Sequence, residues 1–170
     1  MIKREIVYEK GFTLIELLVT TAVMGLLAVV SATVISNVLR SQNKTNVINE
    51  VRQNGGLVID KFERDVKQAS GVTQISGTSV ELDIGGTAVE WDCTGNSFTR
   101  DAISVTSTDP TTGVQIVGCQ FEVTGTAGQG IPQIVKLDFT LEQRNTAGAS
   151  ELEAQVPFEV TVGTRAYTTN

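Results

Sequence analysis

Histidine is absent from all 170 residues, cysteine occurs twice, tryptophan once and proline three times. Without histidine the commonest general base and the commonest zinc ligand are missing, which lowers the prior for hydrolase triads and most transition-metal sites. Two cysteines cannot build a four-thiolate zinc site, and Cys93 and Cys119 lack the CxxC spacing of a redox motif. Basic charge is also scarce: 13 Lys and Arg stand against 19 Asp and Glu, a formal charge of -6. That balance argues against binding a nucleic-acid backbone, which needs clustered cations, and suits the solubility of an exported domain. Abundant serine and threonine carry no SxxK-type pair or other activating partner, and the G-x-G matches lie between strands rather than before a helix. An enzyme is therefore not expected, and neither is a cofactor.

One long hydrophobic run is present. From Leu17 through Leu39 no residue is charged, a run of 23 positions that is long enough to cross about 30 Å of hydrocarbon as a helix. Thr20, Thr21, Gly25, Ser31, Thr33 and Ser36 are small enough to allow close helix packing there. No A-x-A-like cleavage site follows the run, so it does not read as an ordinary secretory signal. Basic residues flank both ends (Lys3, Arg4 and Lys10 before, Arg40, Lys44 and Arg52 after), so their count does not fix orientation. Just before the uncharged run stands Glu16, whose charge would cost roughly 2.5–3.5 kcal/mol at a bilayer centre and needs a reason.

Helical spacing continues beyond the run. Val47, Val51, Val58, Phe62, Val66 and Ala69 form an apolar stripe, with charged residues, Asp65 among them, assigned to the other faces. Gly55-Gly56 is a candidate kink and Gly71 a candidate helix stop. A continuous helix from Phe12 to Ala69 would be roughly 87 Å long and would need a sheet to cover its stripe. Alternation supplies strands at Val80–Ile84, Val89–Trp91, Val117–Val123, Val135–Leu141 and Val156–Val162, with a Gly85-Gly86 hairpin signal. Pro157 places the last strand at an edge or a bulge. The fold class expected is α+β: a long N-terminal hydrophobic helix packed against a small antiparallel β head.

The stretch K10-G-F-T-L-I-E-L-L-V19 resembles the processing site of a type IV prepilin, including the pseudopilins of type II secretion: a charged leader ending in glycine, then phenylalanine, then an apolar run with a glutamate. The resemblance implies cleavage by a prepilin peptidase between Gly11 and Phe12, N-methylation of Phe12, and pairing of Glu16 with the amino terminus of a neighbouring subunit. It divides the chain into a leader (1–11), a membrane and filament-core helix (12–39), an amphipathic continuation (40–70) and a β head (71–170). It also implies an inner-membrane protein with a cytoplasmic N-terminus and an extracytoplasmic head. Its partners would be other pilin or pseudopilin subunits, the peptidase, an inner-membrane assembly platform and, before assembly, membrane lipid.

Further runs, FERDVKQA (62–69), VEWDC (89–93), NSFTR (96–100), VQIVGCQFEV from Val114 and PQIVKLDFTL from Pro132, resemble the J-type minor pseudopilins and their W-type pilus counterparts. The chain departs from that branch in its compact head and its lack of an acidic calcium loop; DCTGNSFTRD from Asp92 does not give an EF-hand series, and no metal is expected. Outside the cytosol, Cys93 and Cys119 would close a loop of roughly 26 residues; two buried free thiols are the alternative. The function expected is a minor structural subunit of a pilus or secretion pseudopilus. The alternative is a minor pilin whose head binds a ligand, as an adhesin or in DNA uptake.

Overall fold

A computed structural model describes residues 11–110, 113–126, 131–144 and 154–165. The leader through Lys10 and most of the loop from Arg144 to Ser150 lie outside the described residues. Among the described residues one helix, α1 (Leu14–Gln68), is followed by β strands only, in keeping with the expected α+β class. The chain forms two compact units, Met1–Gln42 and Asn43–Asn170.

In the first unit every described residue is exposed, and the helix is long and apolar enough to cross a membrane. Its hydroxyl groups do not look outward for partners. Thr20 donates to the Leu17 carbonyl at 3.0 Å and Thr21 to those of Leu17 and Leu18. Ser31, Thr33 and Ser36 donate to Leu27, Val30 and Ala32 at 2.7–2.9 Å. A polar donor satisfied within its own helix loses most of the desolvation penalty that lipid would impose.

The second unit is built on the stripe of α1. Val51, Asn54, Gly55, Val58, Phe62, Asp65 and Val66 are buried, so the seven-residue gap between Val51 and Val58 is filled on the same face by Asn54 and Gly55. Five antiparallel strands form one sheet in the order β1 (Gly71–Gln74), β2 (Ser79–Ile84), β3 (Thr87–Asp92), β4 (Thr99–Arg100) and β5 (Ile103–Ser104). A second antiparallel sheet holds β6 (Val114–Thr124), β7 (Ile134–Gln143) and β8 (Val156–Gly163). The core joins all three layers. Phe62 of α1 meets Trp91 of β3 edge-on at 5.4 Å and Phe121 of β6 at 5.6 Å between ring centroids.

Gly85 and Gly86 turn the β2–β3 hairpin with φ of 62° and 82°, the left-handed pair that a two-residue I′ turn requires. Asp101 and Ala102 do the same between β4 and β5, at 51° and 63°. Neither residue advertises a turn as glycine does, and the two short strands they join were not separately expected. Asp101 is held there by reciprocal bonds with Glu90: its N–H donates to the Glu90 carbonyl at 2.9 Å, and its Oδ1 accepts from the Glu90 N–H at 3.0 Å.

Three expectations need correcting. Val117 is 51 % exposed, because the β6–β7 register shifts between Ile116 and Gly118. A bulge adds one residue and reverses the alternation, so Val114 and Ile116 face inward before it, and Cys119, Phe121 and Val123 after it. Gly71 is no helix stop: α1 ends at Gln68, and Gly71 opens β1 opposite Asp83. The turn is secured at Ser70, whose N–H and hydroxyl both donate to Asp83. Gly55-Gly56 does not interrupt the helix. A Cβ at Gly55 would lie 2.2–2.6 Å from the Phe158 ring, and that ring is itself stacked on Phe139 at 4.9 Å. The glycine makes room for an aromatic ring from β8. Pro157 lies, as expected, on an edge strand, since β8 ends its sheet.

These environments separate the two adjacent glycines. Gly56→Ala meets nothing within 4 Å and should stabilise by up to about 1 kcal/mol through helix propensity. Gly55→Ala gains the same propensity but overpacks Phe158 at about 1–3 kcal/mol, and should destabilise on balance. Thermal unfolding of the two variants should shift in opposite directions, and shifts of the same sign would contradict the packing at Phe158.

Two glutamines and the disulfide join the sheets. The Gln74 side chain of β1 donates to the Phe121 carbonyl at 2.9 Å and accepts from the Val123 N–H at 3.1 Å, both on β6. Gln133, just before β7, accepts from the Val72 N–H at 2.7 Å and donates to the Val72 carbonyl at 2.9 Å. Cys93, after β3, is bonded to Cys119 of β6 with 6.4 Å between Cα atoms.

Candidate functional site

The first candidate site is the start of α1. Gly11, Phe12 and Thr13 are exposed and not helical, and the helix begins at Leu14. The Thr13 carbonyl accepts from the N–H groups of Glu16 and Leu17 at 3.1 and 3.2 Å. The Thr13 hydroxyl oxygen accepts from the Glu16 N–H at 3.3 Å. Thr13 is thus the N-cap, and Glu16 occupies the third helical position. Thr-x-x-Glu is the pattern of a capping box, and the flanking Phe12 and Leu17 stand at the staple positions N′ and N4. This spacing gives a local reason for a threonine and a glutamate three positions apart. Glu16 in the first turn also complements the positive end of the helix. Phe12 is 77 % exposed, and a Cβ at Gly11 would meet nothing within 4 Å, so among the described residues nothing crowds the Gly11–Phe12 peptide.

The second candidate is a polar cluster under the five-stranded sheet. The Asp65 carboxylate, 9 % exposed, accepts on Oδ2 from the Trp91 indole N–H at 2.9 Å and from the Arg100 Nε–H at 2.7 Å. The Asp65 hydrogen bond raises the pKa of the Arg100 guanidinium above its ordinary value, burial opposing it and the charges of Asp65 and Asp101 adding to it. The Trp91 indole N–H and the Arg100 Nε–H meet on one oxygen of this carboxylate, and Arg100 Nη1 also lies 3.5 Å from Asp101. The cluster ties α1 to β3 and β4. The sequence pattern expects Asp65 on a polar face. Its spacing, three residues after Phe62 and one before Val66, puts it on the buried stripe instead, and an acid on such a stripe signals a buried cation or indole partner. Asn54 is the same kind of residue, its Oδ1 accepting from the Ser107 N–H at 2.9 Å.

Cys93 and Cys119 are brought together; Gly11, Phe12 and Glu16 belong to the other compact unit. Among the described residues no group of three or more His, Cys, Asp or Glu is placed to hold a metal ion.

Residues 7–32 match the family described as the Prokaryotic N-terminal methylation motif. No curated protein and no solved structure matches the chain. The motif supports a type IV pilin-like or pseudopilin subunit anchored in a membrane by its apolar helix, and points to a structural subunit rather than an enzyme.

Proposed function

We propose that the chain is a minor subunit of a type IV pilus or a type II secretion pseudopilus, and that it acts by assembly. The observation that carries this reading is the methylation motif over residues 7–32, set on an exposed peptide that leads directly into a membrane-length apolar helix. In this reading a prepilin peptidase hydrolyses the Gly11–Phe12 bond. One water adds across it, leaving a carboxylate on Gly11 and an amine on Phe12; the amine then takes a methyl group from a sulfonium methyl donor, which leaves as its thioether, and a proton is lost. The leader stays in the cytoplasm and the head lies outside, where the Cys93–Cys119 pair forms. Glu16 pairs with the amino terminus of a neighbouring copy or related subunit. An ion pair relieves the penalty that each charge would carry alone in an apolar filament core, and so favours one stagger between helices.

The J-type and W-type branch is the finer assignment we favour. Three of the runs that resemble it converge in space: Asp65 of FERDVKQA receives hydrogen bonds from Trp91 of VEWDC and Arg100 of NSFTR.

The test is mass spectrometry of the N-terminal peptide from the native host, in sheared filaments and in washed membranes. The expected peptide begins at methylated Phe12. Gly11→Ser should leave the full-length precursor with no methylated Phe12 detectable. An intact Met1 start in the wild type would overturn the reading.

A further inference from the structure

We propose that Thr13 is a positioning residue for processing: by capping α1 it keeps the Gly11–Phe12 peptide outside the helix, extended and open to hydrolysis. This inference rests on the processing reading above. In an α-helix each carbonyl accepts from the N–H four residues later. Were α1 to begin one turn earlier, the Gly11 carbonyl would accept from Ile15 and the scissile peptide would lie in the first turn. Its carbonyl would then point along the helix axis, and a peptidase would have to unwind that turn to present the face of the carbonyl carbon to water.

The structure shows the opposite arrangement. The first carbonyl to accept a helical bond is that of Thr13, two residues beyond the scissile bond, and its hydroxyl shares the Glu16 N–H with that carbonyl, which keeps this N–H from the Phe12 carbonyl. Neither proline nor a second Ser, Thr, Asn or Asp lies between Lys10 and Val19; Gly11 can also end a helix but has no side chain to cap it, so Thr13 is the one side chain in this stretch that can. The motif match supplies an independent reason to expect an enzyme here, because residues 7–32 span both the peptide bond and its cap.

The experiment is a pulse-chase of the full-length chain co-expressed with a prepilin peptidase, comparing wild type with Thr13→Ser, Thr13→Asn, Thr13→Ala and Thr13→Leu. Serine and asparagine cap as well as threonine, whereas alanine and leucine do not. Cleavage of the first two should match the wild type within about twofold, and that of the last two should be about fivefold slower, as expected for losing one cap. Cα chemical shifts of the uncut chain in detergent micelles give the second reading. Gly11 and Phe12 should be non-helical in the wild type and in Thr13→Asn, and helical in Thr13→Ala.

Thr13→Ala cleaved at the wild-type rate overturns the proposal. So does Thr13→Asn cleaved as slowly as Thr13→Ala, which would mean that the peptidase reads the threonine directly. A wild-type chain left uncut between Gly11 and Phe12 overturns the processing reading itself, an outcome distinct from either of these.

Discussion

Phe62→Ala should destabilise the second compact unit by about 3–5 kcal/mol, the usual range for deleting a buried phenylalanine ring. Phe62 is fully buried on α1 and touches a ring in each sheet, Trp91 in the first and Phe121 in the second. Its removal therefore takes away area burial and two aromatic contacts worth about 0.5–1.5 kcal/mol each beyond area. The cavity would open where helix and both sheets meet, a place where no single element can collapse to fill it. Against a typical domain stability of about 5–15 kcal/mol this is a large fraction. Trp91, the single tryptophan, lies beside the cavity, so its fluorescence during denaturant unfolding reads the change directly. The midpoint should fall, with an altered native emission. An unchanged midpoint would mean that Phe62 does not join the three layers.

Loss of the Cys93–Cys119 bond should cost about 3 kcal/mol, the chain-entropy figure for a loop of roughly this length. The bond closes a sequence separation of 26 residues and ties the end of β3, the middle strand of the first sheet, to β6 of the second, so its loss frees β4, β5 and the long connection to β6 in the unfolded chain. Thermal unfolding with and without reductant, alongside the Cys93→Ala/Cys119→Ala double variant, checks this. Reductant should lower the midpoint of the wild type to that of the double variant and leave the variant unmoved. A midpoint insensitive to reductant in the wild type would mean that the pair is not formed in the folded protein.

Much of this was legible in the residues because the signals were periodic. The stripe from Val47 to Ala69 and the alternation of β2, β3, β7 and β8 rest on repeats of 3.6 or 2 that tertiary contacts reinforce, while the Gly85-Gly86 turn and the apolar run are local signals that need no such contacts. What escaped was aperiodic or two-sided. The bulge at Val117 leaves no mark in composition, since one inserted residue merely reverses which valines face inward. Strands β4 and β5 are two residues each, too short to alternate, and their turn uses Asp101 and Ala102 in place of glycine. Asp65 reads as a surface residue because its type is usually exposed; only Trp91 and Arg100, distant in sequence, explain its burial. Gly55 looked like a helix weakness because Phe158 lies about a hundred positions away along the chain. At the other end, the processing motif was legible as a pattern, while the capping role of Thr13 within it needed the hydrogen bonds.

The two glutamine amides have a consequence for how such a chain can exist at high local concentration. A sheet edge offers a row of unused N–H and C=O groups that a second molecule can pair with, the route to strand-by-strand aggregation. Here β1 and β6 are both edges of their sheets, yet each is plugged from within: Gln133 occupies the Val72 groups of β1, and Gln74 occupies Phe121 and Val123 of β6. The opposite edges are blunted by other means, β5 by a length of two residues and β8 at Pro157, which has no N–H to offer. A side-chain amide copies the donor and acceptor of a peptide group but has no next residue, so it ends the sheet where a strand would extend it. Crowded side by side, these heads would offer one another fewer edge groups at Val72, Phe121, Val123 and Pro157, which disfavours edge-to-edge growth at those places.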